Sequence, residues 1–384
     1  LKAVKVKYRR APPWVGKKQV MTASWMRERQ AKVSSLLCLL LLVGATMRSL
    51  KNPKSGRGPI QLEHMSLRST KHRRRLQAVD EDLQKQQMSS FFGGIYPAVD
   101  QNMFPLYLRD LDKASTESDL VFFWHIPKAA GSTMKNLMNA CFDLSRAEKV
   151  RPETSMEYGR RGVLNMDTST PIGLQQSFRE GIVDSGMVDV VISNYFLGGS
   201  ALFNERHYGR VFTIMRHPIE LAVSLFHYRK IASWERSFRE DFENMTFTDY
   251  IESDGYIGNW MTRQLTGTMP WVELTEQHLE RAKALMQKKV FVGIQDQMAE
   301  SIRQMRSHFG WKENAPFCAH NLLNDKINSN EHPRIPGGRG GSTWNIVAEK
   351  DKWDLQLYHM ALYQFAEQRK RYPPLESADG PPPQ

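Results

Sequence analysis

Trp124-His125-Ile126-Pro127-Lys128-Ala129-Ala130-Gly131-Ser132-Thr133-Met134 sets a lysine and two hydroxyls among small residues, directly after an apolar run. At a strand-to-helix turn that set suits an anion. Free backbone N–H groups at a helix start point at phosphate-type oxygens, and the helix dipole favours negative charge there. Lys128 adds a point charge, and Ser132 and Thr133 add hydroxyl donors. Pro127, Ala129, Ala130 and Gly131 complete the candidate loop. A plain strand-to-helix turn also uses Gly and Ser, so the turn alone fits either reading. It is not a Walker A loop: Lys128 precedes the glycine, and no Ser or Thr follows the lysine to hold magnesium.

A second set of residues lies at Arg216-His217-Pro218-Ile219-Glu220-Leu221-Ala222-Val223-Ser224. An apolar run ends in Arg216, and Pro218 opens a helix. Arg216 then emerges at the carboxyl end of a strand, the edge where open α/β sheets bind ligands. With Ser224 two turns on, it would grip a second phosphate out of line with the first. A surface salt bridge is the plain alternative for Arg216.

The elements that must position these residues are legible as alternating patterns. Leu120–Ile126, Asp189–Ser193, Val211–Met215 and Val290–Ile294 are continuous apolar runs of the kind buried on both faces of a sheet. Helical patterns follow over Ser132–Phe142, Ile219–Ile231 and Gln295–Phe309, and a last one runs from Trp353 to Phe365. Strands alternating with helices predict an α/β domain with a parallel central sheet flanked by helices.

Hydrophobic residues make up 41% of the 384, enough for a sizeable core. The net charge of +12 favours an anionic partner, although Lys and Arg crowd before residue 80, as at Lys71-His72-Arg73-Arg74-Arg75. Those runs lack interleaved aromatics, so no nucleic-acid partner is expected. The apolar run Ala31–Met47, about 17 residues or roughly 25 Å of helix, follows Arg27 and Arg29. It reads as a signal-anchor that leaves residues 1–30 in the cytosol, ahead of a cleaved signal peptide as the alternative. Residues 48–115 read as a flexible stem, 116–372 as the folded domain and 373–384 as a loose tail. Cys141 and Cys318 fit one disulfide or two buried thiols equally well. The sequon Asn244-Met245-Thr246 agrees with a lumenal domain. Oligomeric state has no signature in the sequence.

Together the two motifs resemble the membrane-anchored carbohydrate sulfotransferases, in the branch with heparan sulfate 2-O- and 6-O- and uronyl 2-O-sulfotransferases. That family carries a H-I-P-K-[TA]-[AG]-G-[ST]-[ST] turn and a later R-[HD]-P-[IV]-E-R-x-[VL]-S segment. Both are present in order, with Leu221 where arginine is common. Weaker similarities lie at Asn259–Gly267, at Phe291–Ile294 with Phe309-Gly310-Trp311, and at Trp353–Tyr358. The resemblance spans about residues 118–370. It implies a P-loop NTPase-like sulfotransferase fold in a single-pass type II protein of the Golgi membrane, with its domain in the lumen. The donor implied is 3′-phosphoadenosine 5′-phosphosulfate (PAPS), with no metal required, and the acceptor is a glycan or polysaccharide. Lys128 would stabilise the leaving phosphate, and residues 127–133 would hold the 5′-phosphosulfate. Arg216 and Ser224 would take the 3′-phosphate.

One position departs from the family. Where relatives read I-S-G-H-F, this chain reads Ile192-Ser193-Asn194-Tyr195-Phe196. A tyrosine with a pKa near 10 is a poor base at neutrality. The expectation is a displaced base, His207 first, with Glu205 or Glu157 behind it. Tyr195 with a large pKa shift, or a protein that binds PAPS without turnover, are the other readings. A P-loop kinase is the alternative enzyme, and a glycan-binding protein on the same fold the alternative without catalysis.

Overall fold

Along Leu120–Trp124 (β1), Phe122 and Trp124 face one apolar layer and Phe123 faces another, all three fully buried. A strand covered on both faces belongs inside a sandwich of helices. In the computed structural model the described residues are 105–148, 162–233, 238–324, 335 and 337–372. The chain divides into the units Leu1–Val79 and Asp80–Gln384, and all described residues belong to the second.

The sheet is six-stranded and entirely parallel. Its strands are β1, Arg146–Ala147 (β2), Val163–Leu164 (β3), Val190–Ser193 (β4), Gly209–Met215 (β5) and Val290–Ile294 (β6), in the order β3-β2-β4-β1-β5-β6. Register is fixed by Val121 beside Val190, Leu120 beside Gly209 and Val211 beside Val290. The four long strands are the four apolar runs, within two residues of their expected starts. The two edge strands are two residues each, too short to leave a periodic signal.

Gly131–Ala140 (α1) packs on one face, with Met134, Leu137 and Met138 against Phe123, Ile192 and Phe212. Pro171–Arg179 (α2) and Phe196–Ser200 (α3) precede β5, and Pro218–Ile231 (α4) and Phe247–Glu252 (α5) follow it. Trp260–Thr266 (α6) and Glu276–Lys289 (α7) cover the other face, next to Phe122, Trp124 and Val292. Met298–Phe309 (α8) and Cys318–Asn324 (α9) join α1 on its face. Ser342–Lys350 (α10) and the 20-residue Lys352–Arg371 (α11) close the domain. Cys141, just past α1, forms a disulfide with Cys318 at the start of α9, which decides between the two readings of that pair.

Two features reach beyond the expected boundaries. Residues 105–111, assigned to the stem, pack on the domain. Leu108 is buried and bridges Gly209, and Lys289 donates to the Leu108 carbonyl (2.6 Å) while pairing with Asp110 (2.5 Å). An apolar residue and a buried lysine with two oxygens to satisfy hold this segment, though its local composition is polar. The expected anchor at 31–47 lies outside the described residues. Among the described residues no helix is long and apolar enough to cross a membrane.

A buried polar hub fixes α6. Asp354, in the first turn of α11, accepts from the Met261 and Thr262 amides (2.8 Å each) and the Thr262 hydroxyl (2.7 Å). Asp351 accepts from the Asn259 amide (2.7 Å) and the Tyr256 hydroxyl. The Asn259 side-chain oxygen in turn accepts from the Trp353 amide (2.8 Å). Donors at the start of one helix and acceptors at the start of the other thus satisfy each other. Trp260, next in line, stacks on Trp124 with ring centroids 6.3 Å apart. The family-like segments at 259–267 and 353–358 are therefore two halves of one contact.

Candidate anion site

The turn between β1 and α1 is built with backbone strain. Lys128 (φ 65°) and Ala130 (φ 57°) both adopt the left-handed conformation, at a cost of about 1–2 kcal/mol each for an L-residue. Alternating conformations of this kind turn successive N–H groups to one side. Ala130 caps α1 without a side-chain acceptor, and the first helical bond runs from Met134 N–H to the Ala130 carbonyl. The amides of Gly131, Ser132 and Thr133 therefore lie ahead of the helix ladder, with no carboxylate in the first turn. A Cβ on Gly131 would stand 1.9 Å from Nε2 of His125, so the glycine is required for the imidazole to lie against the helix start.

Lys128 and Arg216 meet across this turn. The Arg216 guanidinium donates to the Lys128 carbonyl (3.2 Å), which ties the end of β5 to the loop after β1. The Lys128 ammonium lies 4.1 Å above the Tyr228 ring centroid. Both cations are half-buried, and neither has an ion-pair partner among the described residues. Burial first, then the Arg216 charge, pushes the Lys128 pKa down. Burial also lowers that of Arg216, against a pull from Glu220 and Asp296. Two cations held together at the carboxyl edge and left unneutralised are poised for an anion rather than for a salt bridge. Ser224 is buried on α4, Ser132 is exposed, and Pro127 and Thr133 are half-buried. Ala129 is buried and donates its amide to the Ile126 carbonyl (3.2 Å).

The base candidates divide between the two ends of the sheet. Tyr195 follows β4 at the carboxyl edge, where burial and the Asp167 charge push its phenol upward, away from a base. His207 sits at the opposite edge, contrary to expectation. Its Nδ1 hydrogen-bonds with the Ser118 carbonyl (2.9 Å) ahead of β1, and its Nε2 lies 3.5 Å from Asp184. A strand of five residues, about 16 Å, separates that edge from the Lys128 turn. Closeness in sequence to β5 misled here because His207 precedes the strand and Arg216 ends it. Glu205 shares the wrong edge, and Glu157 lies outside the described residues.

Two residues escaped the sequence reading. His125 follows β1 and is brought by burial and the Lys135 charge to a pKa of about 4, with a hydrogen bond to the Asn194 side chain opposing the shift. It is therefore neutral at physiological pH. Tyr228 stands one turn past Ser224 on α4. Its i, i+4 spacing from Ser224 was a usable signal, because such residues share a helix face.

No protein-family model matches the chain, and no curated protein shows significant similarity to it.

Proposed function

We propose that the chain is a PAPS-dependent sulfotransferase that modifies a hydroxyl on a glycan or polysaccharide. The observation that carries this reading is the pair of unneutralised cations, Lys128 and Arg216, joined across a strained loop at the carboxyl edge of a parallel sheet. A bisphosphorylated nucleotide suits two cations on different elements better than a linear polyphosphate does. The order of lysine and glycine argues in the same direction, against a magnesium-dependent kinase.

PAPS, when bound, supplies the sulfuryl group and a phosphate leaving group. The amides of Gly131, Ser132 and Thr133 would hold the 5′ oxygens, with Lys128 set to meet charge as it builds. Arg216 and Ser224 would hold the 3′-phosphate. Tyr195, with its proton held by burial, would donate to the acceptor rather than deprotonate it. A second reading, nucleotide binding without transfer, is favoured by that same tyrosine and by the distant placement of His207.

The test is calorimetric titration of the detergent-solubilised full chain with adenosine 3′,5′-bisphosphate in EDTA, beside ATP with magnesium. Micromolar metal-free binding of the bisphosphate is expected. A preference for magnesium-ATP would sink the proposal.

A lumenal, Golgi-membrane location is part of the proposal. It is supported by the Cys141–Cys318 disulfide, which forms in oxidising compartments, and by the exposed Asn244 of the sequon. Peptide-N-glycosidase should lower the apparent mass of the cell-expressed protein, and Asn244→Gln should remove that shift. An unmodified Asn244 in protein recovered from the secretory pathway would count against this location.

A further inference from the structure

We propose that Tyr228 is the positioning residue for Lys128, holding its ammonium over the anion-binding turn with an aromatic face in place of a carboxylate. The proposal rests on the nucleotide reading above for the identity of the anion.

Four observations converge on it. The ammonium lies 4.1 Å from the Tyr228 ring centroid, well inside cation–π range. Among the described residues Lys128 has no carboxylate partner, although it is half-buried next to another cation. Its backbone is held twice, by the left-handed conformation at φ 65° and by Arg216 on its carbonyl, whereas the four-carbon stem is free to rotate unless its tip is held. Tyr228 projects from the face of α4 that carries Ser224, one turn away.

The choice of an aromatic partner has a chemical consequence. An Asp or Glu at this position would fix the lysine equally well but would neutralise the charge the anion needs. It would also repel the anion. The ring quadrupole attracts the cation and leaves its full charge available. It further offsets part of the burial and Arg216 repulsion that both favour the neutral amine. Tyr228 touches neither reacting atom, so its effect on the anion is exerted through Lys128.

The experiment is bisphosphate titration in EDTA with the full chain carrying Tyr228→Leu, Tyr228→Phe or a series of progressively fluorinated phenylalanines at 228. Fluorination drains the ring quadrupole while nearly keeping its shape, so it separates cation attraction from packing. Tyr228→Leu should weaken binding about 2- to 30-fold. Tyr228→Phe should stay within about twofold of wild type, and affinity should fall stepwise with fluorine number. The alkaline loss of binding, which follows deprotonation of Lys128, should move to lower pH in the same order. Affinity unchanged across the fluorinated series would overturn the role of Tyr228 while leaving the nucleotide reading intact. Absence of bisphosphate binding by the folded wild type would overturn both.

Discussion

Lys128→Ala should reduce sulfate transfer by roughly 10²–10³-fold, the usual loss when one preorganised charge is removed from a developing anion. The reasoning starts from the backbone. Left-handed φ at Lys128 is unfavourable for any residue with a Cβ, so alanine keeps the same strain and the same loop geometry. What disappears is the ammonium alone, with no ion pair broken and no carboxylate stranded among the described residues. The variant should therefore fold with a thermal midpoint within about 2 °C of wild type, as expected for a partly exposed side chain without specific partners. Incorporation of radiolabelled sulfate from PAPS into a mixed glycosaminoglycan pool, measured beside thermal unfolding, separates the two effects. Transfer retained within threefold would remove Lys128 from the chemistry.

Asp354→Ala should cost about 3–5 kcal/mol of stability, because it strands the Met261 and Thr262 amides and the Thr262 hydroxyl in a buried setting. For a domain of this size that corresponds to a drop of roughly 10 °C in the unfolding midpoint. Asp354→Asn keeps one acceptor oxygen and should lose less than half as much. The hub also sets a direction with pH. Burial pushes the Asp354 carboxyl up to about 6 and the neighbouring Asp351 up to about 7. Both folded values stand above the unfolded value of about 3.9, so the folded state holds the extra protons. The resulting stability is fully present below pH 4 and is lost as pH rises toward 7. Asp354→Asn should flatten the rise in unfolding midpoint between pH 7 and pH 5. A slope equal to that of wild type would show that the pair does not titrate in this range.

The sequence carries long-range order where burial is continuous and loses it where burial is shared among distant partners. The four central strands were readable because each is covered on both faces and so runs apolar for five residues or more. The two-residue edge strands have no such signature. The loop around Lys128 was readable as an anion turn because small residues, lysine and hydroxyls stand together in the chain. Its electrostatic state was not, since the absence of a counter-charge depends on what Arg216, Tyr228 and α4 bring from 88 to 100 residues away. The misplacement of His207 has the same origin. Parallel strands all emerge at one edge, so residues just before β5 and just after it lie at opposite ends of the sheet.

The bond between Cys141 and Cys318 spans 177 residues, with one partner just past the helix that opens on the anion turn. At ribosomal rates of about 5–20 residues per second, Cys318 emerges some 10–35 s after Cys141. Through that interval β1, α1 and the turn between them are already made, but the covalent clasp behind them has no second half. The far end of α1 is thus locked only after β4, β5 and β6 have also appeared. Completion of the nucleotide-facing loop is in this way coupled in time to completion of the sheet.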